Sequence, residues 1–351
     1  MVTRRSTADL GPRTGAPRMT AQVREPADRD RFAAETEPFR RELLAHCYRM
    51  VGSAHEAEDL VQETYLRAWR SYAGFEGRAS IRSWLYKIAT NVCLTAVEPR
   101  KIRMLPSGLG GPRDGSERPA DPVAAGEVSW LEPWPDRLQV SADDDPATSV
   151  VSRESVRLAL IASLQHLPAR QRAILLLREV LAFSAAETAQ LLGTTTAAVK
   201  SGLQRARARL GELEPRPERL LEPADPRARA LLDGYVTAFE RSDAGLLEQV
   251  LRTDATLEAT PFREWQAGLV NCLRMLAADV LGEPGDWRML PTTANGQPAA
   301  VEYRRDEAGV FRGTGIVVLD TTATGVSRVV AFHDEALVTL FGFPESLTDP
   351  S

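Results

Sequence analysis

The side chains best suited to chemistry lie in a stretch without a single acid, residues 194–210. Lysine and arginine can bind phosphates, and glutamine or arginine can hydrogen-bond to the edges of bases. Small side chains at the start of the stretch would let its backbone approach a nucleic acid closely. The residues expected to contact DNA are Thr196, Ala197, Lys200, Ser201, Gln204, Arg205 and Arg207.

Two short helices joined by a tight turn are predicted to position these side chains, over residues 183–210. Ser184 and Glu187 have the spacing of a capping box, and Gly193 favours a helix end. A hydroxyl of Thr194 or Thr195 would cap the second helix. The apolar seam of that helix consists of Val199, Leu203, Ala206 and Leu210. The pattern is typical of a helix-turn-helix for the major groove, and the alternative is a helical hairpin with a solvated basic face.

A second group of polar side chains lies in a helical stretch, residues 32–97. Ser53 and Glu56 indicate the start of a helix over residues 54–72, whose early acids suit the positive end of the helix dipole. A further helix is predicted over residues 80–97. Its polar residues and Trp84 could form a positive, aromatic surface that holds single-stranded DNA. The alternative for Trp84 is a place in the core.

The sequence resembles region two of bacterial sigma factors of the extracytoplasmic function (ECF) group at DLVQETYLRAW (residues 59–69) and FEGRASIRSWLYKIATN (residues 75–91). The sequence also resembles region four of the same family, at residues 183–210 and at the preceding LPARQR (residues 167–172). The resemblance implies core RNA polymerase and promoter DNA as partners. Polymerase would be bound through Asp59, Gln62 and Glu63. The minus-ten element would be melted and held by Arg78, Ser80, Arg82, Lys87 and Asn91, and the basic helix would bind the minus-thirty-five element.

Composition and net charge restrict the class of protein and its cellular compartment. The 351 residues carry a net charge of -5, so DNA affinity must come from local basic faces. Three widely spaced cysteines predict neither a metal site nor a disulfide framework. No apolar run suits a membrane span, and none follows the N-terminal arginines as a secretory signal would require. We expect a cytoplasmic protein without membrane association, metal or cofactor.

Three segments are predicted to lack regular structure: a disordered leader over residues 1–30, with Met19 as an alternative start, and linkers over residues 104–149 and 215–224. The longer linker is rich in glycine and proline but contains Trp130 and Trp134. Nothing local could bury these two rings, so we expect them to dock on the C-terminal part of the chain or on polymerase.

Residues 225–346 are predicted to form an α+β domain, with helices first and a curved antiparallel sheet after them. Asp225 and Pro226 indicate a helix start, and Asn295-Gly296 indicates a hairpin turn. A further helix is expected over residues 265–281. The stretches at residues 295–299 and 341–344 resemble the SnoaL-like (polyketide-cyclase-like) domain attached to some sigma factors, which implies a cone-shaped fold with a pocket.

The candidate pocket residues are Asp254, Trp265, Tyr303 and His333. Asp254 and His333 could act as acid and base, but a lone histidine at a strand end is more often structural, so we expect no catalysis. The domain would then be regulatory, and its ligand would be a small molecule or another part of the same chain. The alternative function is a ligand-binding or catalytic SnoaL-like protein whose helical half is an ordinary DNA-binding regulator.

The sequence as a whole therefore predicts a multidomain protein with two all-α domains, the second with the helix-turn-helix, followed by the SnoaL-like domain. The expected order is a leader (residues 1–30), a region-two domain (31–103), a linker (104–149), a region-four domain with its own small core (150–214), a linker (215–224) and the α+β domain (225–346).

Overall fold

The computed structural model describes residues 26–77, 79–97, 102–113, 122–124, 126–138, 156–213 and 219–348. The first helical domain consists of α1 (Pro26–Thr36), α2 (Arg40–Val51), α3 (Ala54–Ser71) and α4 (Ile81–Val97). Gly52, with a φ of 73°, ends α2, and the Ser53 hydroxyl accepts a hydrogen bond from the Glu56 amide to begin α3. The leader prediction is wrong at its end, because α1 already begins at Pro26.

The second helical domain consists of α5 (Leu158–Gln165), α6 (Ala169–Leu175), α7 (Ala185–Leu191) and α8 (Thr196–Leu213), and a π-helical turn (Leu176–Val180) follows α6. The predicted capping box at Ser184 and Glu187 is present in full. Gly193 has a φ of 59°, and the Thr195 hydroxyl accepts a hydrogen bond from the Ala198 amide at 3.2 Å. Local sequence signals thus define both ends of the turn between α7 and α8.

The sheet domain contains α9 (Pro226–Glu240), α10 (Ala244–Val250), α11 (Leu269–Met275) with a π-helical turn (Leu276–Val280), and α12 (Glu335–Leu340). Its strands are β1 (Leu251–Thr260), β2 (Trp265–Ala267), β3 (Trp287–Ala294), β4 (Gln297–Arg305), β5 (Phe311–Thr322), β6 (Gly325–Phe332) and β7 (Ser346–Leu347). They form one sheet in the order β2-β1-β6-β5-β4-β3, and β7 pairs with β5.

Two details of this domain differ from the prediction. The sheet is mixed rather than antiparallel, because β1 runs parallel to β6. The helix expected over residues 265–281 begins only at Leu269. Trp265 instead pairs with Glu258 of β1, and Gly268, with a φ of 84°, separates the short strand from the helix. The Asn295-Gly296 turn between β3 and β4 is confirmed, with positive φ at both residues.

The two faces of the sheet belong to different cores. One face packs against α9, α10 and α11, where Tyr235, Phe239 and Cys272 belong to the same buried cluster as Val317 and Leu319. The other face joins a continuous apolar cluster that runs through the linker and both helical domains. This shared cluster includes Tyr48, Leu131, Trp134, Ile161, Leu177, Val301 and Ile316. The second helical domain therefore lacks the separate core that the sequence predicted.

Candidate functional site

The polymerase-binding residues expected from the resemblance lie on one face of α3. Asp59 and Gln62 are exposed, and Glu63 forms an ion pair with Arg67 of the same helix at 2.7 Å. Leu66, which is 51% exposed, continues the face at a spacing of four residues from Gln62. Sequence reasoning missed Leu66, although the 59, 62, 63, 66 spacing was the signal that could have identified it.

Three of the expected minus-ten residues share one side of α4. Ser80, Lys87 and Asn91 are exposed, and the half-buried ring of Trp84 lies between them in helical spacing. The Trp84 ring is 4.9 Å from the Phe75 ring, measured between centroids. Arg78 lies outside the described residues. This side of α4 therefore combines hydrogen-bond donors, a positive charge and an aromatic surface.

Arg82 does not join this group, although the sequence placed it among the DNA contacts. Its Nε donates a hydrogen bond to Glu42 of α2 at 3.0 Å. Its guanidinium also lies 5.1 Å from the ring centroid of Phe183, the residue that precedes the capping box of α7. Phe183 in turn packs edge-on against Tyr86 of α4. The second helical domain thus covers part of Arg82, whose side chain is 35% exposed.

The residues expected to contact the minus-thirty-five element are brought together on α8. All of them are exposed, namely Thr196, Ala197, Lys200, Ser201, Gln204, Arg205 and Arg207. Arg207 is turned toward Glu179, with which it forms an ion pair at 2.7 Å. The buried side of α8 contains Val199 and Ala206, and Gly202 allows the helix to approach Ile174 of α6 closely. The helix therefore presents one polar, basic face.

The linker joins all three folded parts through Trp134 and Asn295. Trp134 is fully buried, and its ring packs 4.8 Å from that of Tyr48 on α2. Its amide donates a hydrogen bond to Asn295 Oδ1 at 2.7 Å. Asn295 Nδ2 donates to the Tyr48 hydroxyl at 2.8 Å and to the Val156 carbonyl at 2.5 Å. The backbone of the second linker tryptophan therefore docks on the C-terminal domain as predicted, whereas its ring packs against Tyr48 of the first helical domain, which the prediction did not name.

Neighbouring residues of the same hairpin extend this junction. The Gly296 amide donates a hydrogen bond to Asp136 of the linker at 2.9 Å. The amide of Leu158, at the start of α5, donates to Gln297 Oε1 at 3.0 Å. We call Asn295, Gly296 and Gln297 the hairpin tip. The hairpin tip binds the linker and both helical domains through polar contacts that sequence reasoning did not predict.

The four candidate pocket residues of the sheet domain do not form one site. Asp254 is exposed and pairs with Arg252, whereas the Tyr303 hydroxyl donates to the Pro344 carbonyl at 2.8 Å. Trp265 Nε1 donates to the Gly110 carbonyl of the linker. The His333 amide bonds to Thr260, six residues along β1 from Asp254, which separates the expected acid and base by roughly 20 Å. Within the described ranges, no cluster of acids, histidines or cysteines could hold a metal.

Glu302 of β4 lies close to His333, with 3.9 Å between Oε2 and Nε2. Glu302 is 3% exposed, and its Oε2 has no hydrogen-bond partner among the residues described. Burial raises the pKa of Glu302 to about 8 and lowers the pKa of His333. Both groups are therefore neutral at pH 7, and they are too far apart for a hydrogen bond.

Comparisons with known proteins agree with this architecture. Residues 36–101 match Sigma-70 region 2, and residues 157–210 match Sigma-70 region 4. The chain is 50% identical over 328 residues to the ECF RNA polymerase sigma factor SigG of Mycobacterium tuberculosis (strain H37Rv), a match that covers 92% of this chain and 87% of the relative. It is 28% identical over 184 residues to SigW of Bacillus subtilis (strain 168), covering 52% of this chain and 88% of the relative.

The crystal structure of the ECF sigma factor SigJ of Mycobacterium tuberculosis aligns with a TM-score of 0.56 at 21% identity, over 89% of this chain and 99% of that one. The chain therefore belongs to the ECF sigma factors of bacterial RNA polymerase. Within that family it is of the kind in which a mixed α+β domain of SnoaL-like arrangement follows the two helical domains. The family resemblance and the fold class predicted from the sequence are confirmed. In the described part of the chain, no helix has the length and apolar character of a membrane span.

Proposed function

We propose that this protein binds core RNA polymerase and directs it to initiate transcription at specific promoters. The observation that carries the proposal is the α3 face of Asp59, Gln62, Glu63 and Leu66, which is exposed apart from the half-buried Glu63, while the opposite side of α3 is buried. An acidic face repels DNA and suits a basic protein surface. Leu66 would add an apolar anchor at the centre of that contact.

The exposed side of α4 would hold the unpaired minus-ten strand. Lys87 suits a phosphate, Ser80 and Asn91 can hydrogen-bond to bases or phosphates, and Trp84 with Phe75 offers a stacking surface. A cavity of about 450 Å³ beside this surface is lined by Tyr72 and Phe75 together with acids and an arginine of α1. Arg78 stays a proposed contact on the strength of the family resemblance.

The basic face of α8 would bind the minus-thirty-five element in the major groove. Ala197, Lys200, Ser201 and Gln204 recur at helical spacing on one exposed side, as a recognition helix requires. Arg205 lies next to them, and its guanidinium donates a hydrogen bond to Ser201. Arg207 would have to leave Glu179 before it could contact a phosphate.

The sheet domain would act in cis by holding the helical domains in the arrangement seen here, which we call the closed form. In the closed form Arg82 is bound by Glu42 and lies against Phe183, so it would have to leave these partners to contact the promoter. The hairpin tip links α2, the linker and α5, and thereby ties the helical domains together. We infer that the sheet domain is inhibitory and that promoter binding requires its release. The sequence alone left the sign of this effect open.

The proposed function also implies a division of the chain into domains. The proposed units are a leader, a region-two domain over residues 31–103 extended back to residue 26, a linker (104–149), a region-four domain (150–214), a linker (215–224) and the SnoaL-like domain (225–346). No catalytic role is proposed for the last domain, because its candidate acid and base lie apart.

Run-off transcription with purified core polymerase on genomic promoter fragments tests the proposal. The wild-type chain should produce transcripts with defined starts, and the double variant Gln62→Ala/Glu63→Ala should lose core binding. The matched control is Glu248→Ala/Gln249→Ala, an exposed pair of the same residue types on α10. Deletion of the residues after 222 should raise promoter binding. Failure of the wild-type chain to start transcription at any defined site would refute the function.

A further inference from the structure

A cavity of about 400 Å³ lies between the two helical domains. Its polar lining consists of Glu56 from α3, Arg103 from the end of the first helical domain, and Gln165, His166 and Arg172 from the second helical domain. The volume falls within the range of small-molecule sites in proteins. Because its walls come from separate domains, the cavity exists only while those domains are together.

Arg172 brings an uncompensated positive charge to this cavity. The residue is 3% exposed, and its guanidinium donates only to neutral acceptors: Gln165 Oε1 and the carbonyls of Met50, Gln165 and Leu167. Among the described residues, no carboxylate lies within ion-pair distance. Burial lowers the pKa of Arg172 to about 10, so the group stays charged at neutral pH. Buried charges are normally paired, so Arg172 would be stabilised by an anion bound next to it.

Two hydrogen-bond donors in the lining also lack partners. Nε of Arg172 and Nε2 of Gln165 are buried without an acceptor among the residues described. Glu56 is the acid that lines the cavity, and Arg103 neutralises it through an ion pair at 2.9 Å. His166 is half-buried, and its pKa is lowered by burial and by the nearby cations Arg209 and Arg172. The cavity wall therefore carries positive charge, and a ligand that supplies acceptors would reach the two buried donors after a small side-chain movement.

We propose that this cavity binds a small organic oxyanion, with a carboxylate or phosphate group at Arg172, Gln165 and His166. A second cavity, of about 350 Å³, also includes Arg103 and His166 and continues to Glu258 and Arg328 of the sheet domain. The body of the ligand would occupy this second cavity, which is lined by residues of all three domains. The bound anion stabilises the closed form, and this regulatory consequence rests on the proposed function.

Calorimetric titration of the full chain tests the site itself. The probes are inorganic phosphate and succinate, with chloride at matched ionic strength as the reference, so that the two arms distinguish phosphate from carboxylate. Arg172 supports the domain junction, so the test variant is His166→Glu, which places an acid in both cavities. Gln249→Glu on the exposed side of α10 is the control with the same change in charge.

Saturable binding of at least one probe by the wild-type chain and the control, with a loss of tenfold or more in His166→Glu, is the expected result. Absence of saturable binding to both probes, or equal affinity in His166→Glu, overturns the site.

The regulatory consequence is tested separately with the holoenzyme on a promoter fork. At one hundred times its dissociation constant, a ligand specific for the closed form favours that form by a factor of about 100. Promoter affinity should fall by up to that factor in the wild-type holoenzyme and stay constant in His166→Glu. If the anion binds by calorimetry but promoter affinity is unchanged, the coupling is refuted. A chain that binds the anion but forms no holoenzyme refutes the proposed function and leaves the site intact.

Discussion

Replacing Asn295 by glycine isolates the polar junction that holds the closed form. Glycine adopts the positive φ of 56° at this position without strain, so the turn between β3 and β4 is preserved. The substitution removes the side chain that accepts from the Trp134 amide and donates to Tyr48 and Val156. Any effect on domain closure then comes from these contacts.

The expected magnitude follows from the groups left behind. The Trp134 amide and the Val156 carbonyl lose their Asn295 partner in residues that are fully buried. A buried polar group without a partner costs about 1–3 kcal/mol, whereas in an open form water would satisfy both groups. We therefore expect Asn295→Gly to shift the equilibrium toward opening by about 2–6 kcal/mol, which is a factor of roughly 30 or more.

Hydrogen exchange at the Leu158 amide reports this opening, because that amide donates to Gln297 rather than to the substituted residue. Its exchange should accelerate by the factor above in Asn295→Gly. Asp306→Gly is the control, since Asp306 organises the turn between β4 and β5 within the sheet domain. It should leave Leu158 exchange unchanged. Equal exchange rates at Leu158 in wild type and Asn295→Gly would refute the role of the hairpin tip in closure.

Three further substitutions test other parts of the molecule. Leu66→Glu should weaken core polymerase binding by roughly tenfold or more while the melting temperature changes little, because Leu66 is exposed; unaltered affinity in a titration excludes it from the interface. Arg205→Ala should weaken binding to upstream promoter DNA by about 1–3 kcal/mol with relaxed specificity if it contacts a base, whereas a uniform loss with a shallower salt dependence indicates a phosphate contact. Burial raises the pKa of Glu302 from 4.5 to about 8. Between these pH values the carboxyl ionises in the unfolded chain but stays neutral in the fold, so the free energy of unfolding falls as the pH rises. Glu302→Gln should therefore raise the melting temperature at about pH 8 and leave it unchanged at about pH 4; equal shifts at both would contradict the burial argument.

Local features of this fold were predictable because residues close in sequence determine them. The capping box of Ser184 and Glu187 and the hairpin turn at Asn295-Gly296 each depend on residues within a few positions. The exposed faces of α3 and α8 follow from helical periodicity in the same way. These are the parts of the candidate site for which residue types and spacing sufficed.

The missed features depend on partners that are distant in the sequence. Trp265 to Ala267 form a strand because β1 offers a free edge, whereas the local pattern favours helix. Periodicity places Arg82 away from the exposed side of α4, but it cannot reveal that Phe183 covers it, about a hundred residues later. The uncompensated charge of Arg172 likewise becomes visible only when all its neighbours are known.

The closed form also implies an order of events in initiation. Asp59, Gln62 and Leu66 are exposed while Arg82 is held by Glu42 and Phe183, so the proposed polymerase-binding face is available before the proposed promoter-binding face is complete. A partner can shift an equilibrium only by its differential affinity for the two forms. Docking on α3 alone contacts a surface that is the same in both, so it cannot open the molecule. Opening must therefore be driven by contacts that form only when the domains separate, such as binding of the second helical domain to polymerase or of Arg82 to the promoter. A chain that carries an intact α3 face and a stabilised closed form should accordingly bind polymerase without starting transcription.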